Sequence, residues 1–236
     1  MQTTHDNATG SRTKSPLIGR LLQRKTATTC IGLYLFTDNG SGMLRYLAMT
    51  GTITHVIGFD DTPFPRDYRG DVVVVGAAFA VMRLEGVLTG KVRRDGANAT
   101  QCLIRLISES RFAAHGQLIM LQGIAFAGFN VVDIHALHEA MAKPVLVVVR
   151  KRPHLTLIKK ALFESVPGGK RKWQLIEKAG PMEAIAGVHV QRAGIGLELA
   201  RRVIADFAIN SAIPEPLRTA HLIAAGLAGG RSRQRV

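Results

Sequence analysis

Between Thr54 and Arg94 three stretches of strand character follow one another with no helix between them, and beyond Ala99 helix and strand patterns alternate. That order restricts the topology more than any other property of the chain. Consecutive strands joined by turns pair antiparallel, whereas strands separated by helices become parallel neighbours. The first stretch, Thr54 to Phe59, is closed by Pro63 and Pro65, which lack the backbone donor that a ladder needs. The second, Asp71 to Met82, is a valine run containing Gly76, Ala77 and Ala78, the composition of a strand covered on both faces. In the third, Glu85 to Arg94, Val87, Thr89, Lys91 and Arg93 alternate with Gly86, Leu88, Gly90 and Val92.

Cys102, Leu103, Leu106, Ile107 and Ser110 form a helical stripe that predicts a helix over Ala99 to Ala114. A fourth strand, Gln117 to Leu121, leads through a glycine-punctuated loop to a helix near Val131 to Ala142, which Lys143-Pro144 breaks. Val145 to Val149 is the fifth strand. Helices are expected over Leu155 to Glu164, Arg171 to Ala179, Gly194 to Ile209 and Leu217 to Leu227, with a strand over Ile185 to Val190. The chain is therefore α/β, in the order of a ribonuclease-H-like mixed sheet flanked by helices in a single domain. A Rossmann-like arrangement shares its second half.

Residues 51–230 read as that domain, residues 1–50 as a basic N-terminal extension and 231–236 as a basic tail. Ile31 to Phe36 could form a short strand within the extension, and Met43 or Met49 would serve as alternative starts. Ser11 to Cys30 has the acid-free, hydroxyl-rich composition of a transit peptide but no apolar core with a cleavage pattern. No stretch reaches the roughly 18 apolar residues of a membrane span, so no membrane partner is expected. Two cysteines, Cys30 and Cys102, lack paired spacing; this points to the reducing cytoplasm and excludes a disulfide framework or a cysteine zinc site.

Charge narrows the partner. Lys and Arg total 31 against 17 Asp and Glu, a net charge of +14 and a pI near 10.6. Basic groups cluster at Arg150-Lys151-Arg152, Lys159-Lys160, Lys170-Arg171-Lys172 and Arg201-Arg202. Such a field suits a phosphate backbone, through steering and counterion release, and nucleic acid is the expected partner. No obligate protein partner is inferred.

Chemistry has few places to reside. Asp60 and Asp61 end the first strand and, by alternation, face opposite sides of it. A carboxylate directed into a cleft is costly unless a cation meets it; the simpler use of the pair is capping the turn before Pro63. Arg94-Asp95-Gly96 closes the third strand, Gln122-Gly123 the fourth and Arg150-Lys151-Arg152 the fifth. The first, fourth and fifth strands are expected to be parallel, so their ends share one edge, where ligand crevices form. Acids that hold a divalent ion, beside cations that hold phosphate, are what phosphodiester hydrolysis requires. Asp95 before Gly96 is equally a favoured turn pair. His135 and His138 are three apart on a helix but have no third zinc ligand nearby. In Pro214-Glu215-Pro216-Leu217-Arg218-Thr219-Ala220-His221 two prolines set the entry to a helix, and Arg218 and His221 share one of its faces.

The set Gly58-Phe59-Asp60-Asp61, Val92-Arg93-Arg94-Asp95-Gly96, the block from Gln122 through Gly128-Phe129-Asn130-Val131-Val132-Asp133-Ile134, Val149-Arg150-Lys151-Arg152-Pro153 and the Pro214 to His221 segment resembles the mostly archaeal endonuclease dU family. The resemblance spans Thr54 to about Gly230. That family looks like a distant relative of endonuclease V, and the resemblance implies a metal-dependent DNA endonuclease acting at deoxyuridine or another deaminated base. It implies magnesium as the ion, with manganese as the alternative. Asp60 matches the first-strand catalytic aspartate, Lys151 the lysine after the fifth strand and His221 the histidine of the last helix; Asp95 is the candidate for the acid after the third strand. Asp60, Asp61 and Asp95 would hold the metal, while Arg94, Gly123, Arg150, Arg152 and Arg218 would meet the nucleic acid. The departure is Gln122, where endonuclease V has an aspartate: an amide offers a divalent ion a dipole rather than a charge, and Asp61 is the compensating acid.

Two other readings stand beside the nuclease. A non-catalytic nucleic-acid-binding protein with the same fold is compatible with the neutral Gln122. An enzyme for an anionic metabolite would use the glycine-rich loop after Gly123, although that loop lacks the lysine and spacing of a phosphate-binding loop.

Overall fold

The computed structural model describes residues 52–229. The extension, with its expected strand at Ile31 to Phe36, and the basic tail lie outside the described residues. β1 (His55–Asp61), β2 (Asp71–Ala80) and β3 (Arg83–Arg93) form the antiparallel meander that three uninterrupted strand patterns require. After α1 (Ala99–Ser108), β4 (Leu118–Gln122) lies parallel to β1. A small hairpin, β5 (Ala125–Phe126) and β6 (Asn130–Val131), precedes α2 (Ile134–Met141), and β7 (Val145–Val149) then pairs parallel with β4. The chain continues through α3 (Leu155–Ser165), α4 (Gly169–Lys178), β8 (Glu183–Ile185), β9 (Val188–Ala193), α5 (Leu197–Phe207) and α6 (Glu215–Gly229). The seven-stranded sheet runs β3-β2-β1-β4-β7-β9-β8, with β9 antiparallel to β7. This is the expected ribonuclease-H-like mixed sheet, not a Rossmann-like one.

Both faces of the sheet are covered, as the valine-rich β2 and β7 demand. Ile57 and Phe59 of β1, with Ile119, Leu121, Val145 and Val147, pack under α1 and α2 through Leu103, Ile107, Ile134 and Leu137. Val56, Leu118, Met120, Leu146 and Val148 pack on the other face against Ala200, Val203, Ile204 and Phe207 of α5 and Leu217 and Ala220 of α6. No helix among the described residues is long and apolar enough to cross a membrane.

Three expectations change. The first helix ends at Ser108, six residues early, because the Ser110 hydroxyl donates to Ile107 O and accepts from Phe112 N, giving the backbone an alternative to the helix ladder. The strand expected at Ile185 to Val190 is a hairpin folded about Ala186 and Gly187, both left-handed (φ 47° and 81°). β1 continues through both acids, since Asp60 and Asp61 still pair with Val75 and Val74 of β2. Pairing with β4, by contrast, stops at Phe59 and Leu121. The acids therefore remain in the sheet on one side and border an opening on the other.

Candidate functional site

Gly58 explains how the site is built. A Cβ there would stand 2.5 Å from Pro216 C, 2.6 Å from Pro216 O and 2.8 Å from Leu217 N, so the start of α6 rests directly on the backbone of β1. Pro214 O accepts from both Leu217 N and Arg218 N at 3.0 Å, which starts the helix at this contact. Moving two residues along the strand advances about 6.6 Å, and moving four along the helix advances about 6 Å. Asp60 and His221 consequently meet. His221 Nδ1 lies 2.7 Å from Asp60 Oδ2, while Asp60 Oδ1 accepts from Asp61 N at 2.9 Å. Asp60 is buried and His221 partly exposed.

Gln122 belongs to the same face. Continuing the parallel register by one residue beyond Phe59 and Leu121 sets it beside Asp60, and its Oε1 is buried with no hydrogen-bond partner. A buried acceptor without a donor is costly, and the register sets this one beside Asp60. Asp60 and Gln122 thus place hard oxygens on one face at the ends of β1 and β4, donors of the kind that suits a divalent cation.

Asp61 turns to the opposite face and accepts from Ala127 N at 2.7 Å. Ala127 and Gly128 are the left-handed tip of the β5–β6 hairpin (φ 50° and 85°). Asp95 grips the same tip: its N donates to Ala127 O at 2.9 Å and its Oδ1 accepts from Phe129 N at 2.9 Å. The buried Lys172 of α4 donates from Nζ to Asp95 O. Burial lowers the pKa of this lysine, and the Asp95 charge opposes the shift. Two acids and one lysine thus clamp the hairpin between β1, β3 and α4.

Electrostatics follow burial. Burial raises the Asp60 pKa, against the hydrogen bonds from His221 and Asp61 N. Burial also pushes Asp61 from 3.8 up to about 6; the Ala127 N–H opposes this and the Asp60 charge adds to it. The hydrogen bond to Asp60 raises His221, against burial. Folded Asp61 keeps its proton to about pH 6, whereas the unfolded chain releases it near 3.8, so stability falls as pH rises through that window. Asp61→Asn retains an acceptor for Ala127 N and removes the charge. In chelator it is expected to unfold about 1–3 kcal/mol less readily at pH 7 and to flatten the decline between about pH 4 and 6. Urea unfolding across that range measures both; a variant no more stable than the parent at pH 7 refutes this account of Asp61.

The sequence-based candidates divide into three groups. Asp60, Asp61 and His221 come together. Arg150, Lys151 and Arg152 are exposed beyond the end of β7, two strand spacings from β1, about 10 Å across the same sheet edge. Asp95, Arg94 and Arg218 are engaged elsewhere. Asp95 stands in the left-handed turn after β3 (φ 49°), bound to the hairpin and 3.2 Å from Arg94 Nε. Arg94 donates to the backbone oxygens of Arg66 and Tyr68, and Arg218 pairs with Glu215 at 3.2 Å. Among the described residues no group of three or more His, Cys, Asp or Glu side chains is placed to hold a metal ion. Asp95 is oriented by its turn and by the hairpin, and not by Asp60 or Asp61. His135 and His138 each bond a different backbone carbonyl, those of Lys178 and Lys143. Gly123, with φ 88°, requires glycine at the end of β4.

Sequence reasoning missed Lys172, hidden within a charge run, and the clamp it completes. The positive φ of Ala127 carries no sequence signal beyond the following glycine. It also missed the contact of Gly58 with Pro216, for which the pairing of a strand glycine with a proline-started helix is the only hint.

A family profile described as Endonuclease dU matches residues 52–228. A UPF0215 protein of Deinococcus radiodurans is 56% identical over 180 residues, covering 76% of this chain and 92% of its own length. A second, from Methanothermobacter thermautotrophicus, is 42% identical over 182 residues, covering 75% and 89%. A solved structure described as a protein of unknown function from Archaeoglobus fulgidus superposes with a TM-score of 0.69 at 29% identity, over 74% of this chain and 98% of that one.

Proposed function

Because the chain belongs to the endonuclease dU family, we propose that it is a metal-dependent endonuclease that nicks DNA at deoxyuridine or another deaminated base, a DNA-repair hydrolase of the cytoplasm. The observation that carries this reading is the Asp60–His221 pair, 2.7 Å apart at the open edge of the sheet, with the unpartnered Gln122 Oε1 beside it. The donor set fits a divalent ion of the magnesium or manganese type: Asp60 and Asp61 supply charge and Gln122 a neutral oxygen. Such an ion, when bound, supplies Lewis-acid activation of water and neutralises charge on the phosphate.

The protein's own groups have separable tasks. Asp60 accepts the Nδ1–H of His221, which fixes the ring and leaves its second nitrogen to orient a water or a phosphate oxygen. Lys151, flanked by Arg150 and Arg152, offers an exposed ammonium on the same edge to the scissile phosphate. The clamped hairpin fixes the Asp61 carboxylate at the end of β1. The net charge of +14 draws the duplex in and makes binding salt-dependent.

The test is a nicking assay on duplexes carrying deoxyuridine, deoxyinosine or no lesion, with magnesium, manganese or chelator. Nicking confined to lesion-bearing strands and to metal-containing reactions is expected. A second reading, a non-catalytic nucleic-acid-binding protein, is favoured by two observations: Gln122 is neutral, and no three-residue metal cluster of His, Cys, Asp or Glu occurs among the described residues. It predicts salt-sensitive binding with no nicking of any duplex under any ion.

A further inference from the structure

Half of the chain's positive charge lies in one stretch. From Arg150 to Lys178, 29 of the 236 residues, nine Lys and Arg stand against two Glu, a net +7 of the total +14. α3 begins three residues after Arg152, beyond the end of β7 at the open sheet edge, and α4 follows through Val166-Pro167-Gly168. Gly168 is left-handed (φ 69°), and a Cβ on Gly169 would lie 1.7 Å from Leu162 O, so only glycine lets the two helices close on each other. Leu162 and Ile176 bury a small core with Val131 of β6, apart from the two cores of the sheet, and Lys172 ties α4 to Asp95. The two helices form an arm at the sheet edge, fixed to the β5–β6 hairpin.

The charge of this arm is not neutralised within the protein. Lys178 pairs with Asp133, Lys172 is bonded to Asp95 O, and Glu177 accepts from Trp173 Nε1 at 2.6 Å. Lys159 lies over the rings of Phe163 and Trp173. Among the described residues Arg150, Lys151, Arg152, Lys160, Lys170 and Arg171 are exposed and make no hydrogen bond or ion pair. Unpaired like charges on one surface repel one another, a cost that an anionic partner removes.

We propose that the α3–α4 arm grips the phosphate backbone of a duplex away from the scissile bond, through Lys160, Lys170 and Arg171, and reads no base. α3, with 11 residues, is about 16 Å long, and duplex DNA carries one phosphate charge per roughly 1.7 Å of its axis. The arm therefore faces a row of charges and not one small anion. An anionic bilayer is the other surface that takes a basic helix, but such a helix needs one continuous apolar face bordered by cations. The two most exposed apolar groups of α3, Leu157 and Phe163, stand about 120° apart around its axis with Lys160 midway between them. A cation in that place meets phosphates and interrupts any face turned to a bilayer. This inference rests on the proposed nuclease function for DNA as the partner, and it assigns the arm to affinity and not to cleavage chemistry.

Binding of the full chain to a short fluorescein-labelled duplex, with and without one deoxyuridine, is followed by anisotropy in chelator over a range of potassium chloride. Lys160→Gln/Arg171→Gln is expected to weaken binding about tenfold or more near physiological salt. It should also lower the slope of log K against log salt by about 1.8, two phosphate contacts at about 0.9 each. The loss should be equal on the two duplexes. The variant should unfold in urea no more readily than the parent, since both side chains are exposed and unpartnered. Arg201→Gln/Arg202→Gln removes the same charge from exposed positions of α5, on the sheet face opposite to the one that Ala179, after α4, meets. It should leave the slope within about half a unit of the parent. An unchanged slope in the arm variant, an equal loss in the α5 variant, or a loss confined to the deoxyuridine duplex overturns the proposal. So does binding of the parent to phosphatidylserine vesicles that the arm substitutions abolish while duplex binding persists. Lesion-specific nicking by a protein whose slope does not depend on the arm removes the arm and leaves the nuclease reading; arm-dependent binding with no nicking of any duplex does the reverse.

Discussion

Asp60→Asn is expected to lower metal-dependent nicking at deoxyuridine by at least about a hundredfold, the scale on which loss of one preorganised electrostatic group slows an enzyme. The substitution removes one charge and almost no volume. In the parent, Asp60 is buried, and burial disfavours its charged form. A neutral amide relieves that cost, so the variant should unfold no more readily than the parent in chelator. Loss of activity with stability kept or raised is the signature of an acid retained for chemistry at the expense of the fold. The amide also presents an NH2 group to His221, whose Nδ1 lies 2.7 Å from Oδ2, so the ring loses its fixed orientation together with the charge. Calorimetry with manganese gives a readout independent of turnover: the variant should bind the ion about tenfold more weakly or worse. Parental nicking rates in Asp60→Asn would remove this residue from the mechanism.

Gly58→Ala is expected to have the largest effect on stability, about 1–3 kcal/mol, with activity falling tenfold or more. One methyl group would lie 2.5 Å from Pro216 C and 2.6 Å from Pro216 O, both backbone atoms of a proline whose ring cannot rotate aside. The helix must therefore lift from β1, which strips Leu217 and Ala220 from the buried face and withdraws His221 from Asp60. Gly226→Ala is the control on the same helix. Nothing stands within 4 Å of a Cβ at that position, and the change should stabilise by roughly 0.5–1 kcal/mol through helix propensity alone. Equal stability of the two variants in urea would show that α6 does not rest on Gly58 as described.

Much of the fold was legible because it depends on local patterns. Val72 to Val75 and Val145 to Val149 read as buried strands since no surface element tolerates such runs, and the prolines at 214 and 216 mark a helix start whatever surrounds them. Boundaries failed where a side chain competes with the backbone: Ser110 stops α1 through two hydrogen bonds that no periodicity encodes. Part of the candidate site was legible too. Asp60 and His221 could be chosen as a pair from residue type and from resemblance, although they stand 161 positions apart in the chain. Asp95 could not be read in this way. Asp-Gly is favoured both in turns and at metal sites, and the decision lay with the hairpin N–H of Phe129, 34 residues away.

The amino-acid sequence by itself determined the sheet, the layers that cover it and the positive field, since each follows from the alternation, spacing and charge of near neighbours. Only the tertiary structure decided which polar groups are satisfied. It gave Asp61 to the Ala127 N–H, Asp95 to the hairpin tip and Arg218 to Glu215, and it left Gln122 and Gln191 with buried acceptors and no donor. The physical reason is that a hydrogen bond depends on a few ångströms and a direction, which the crossing of strands and helices sets and which spacing along a chain does not.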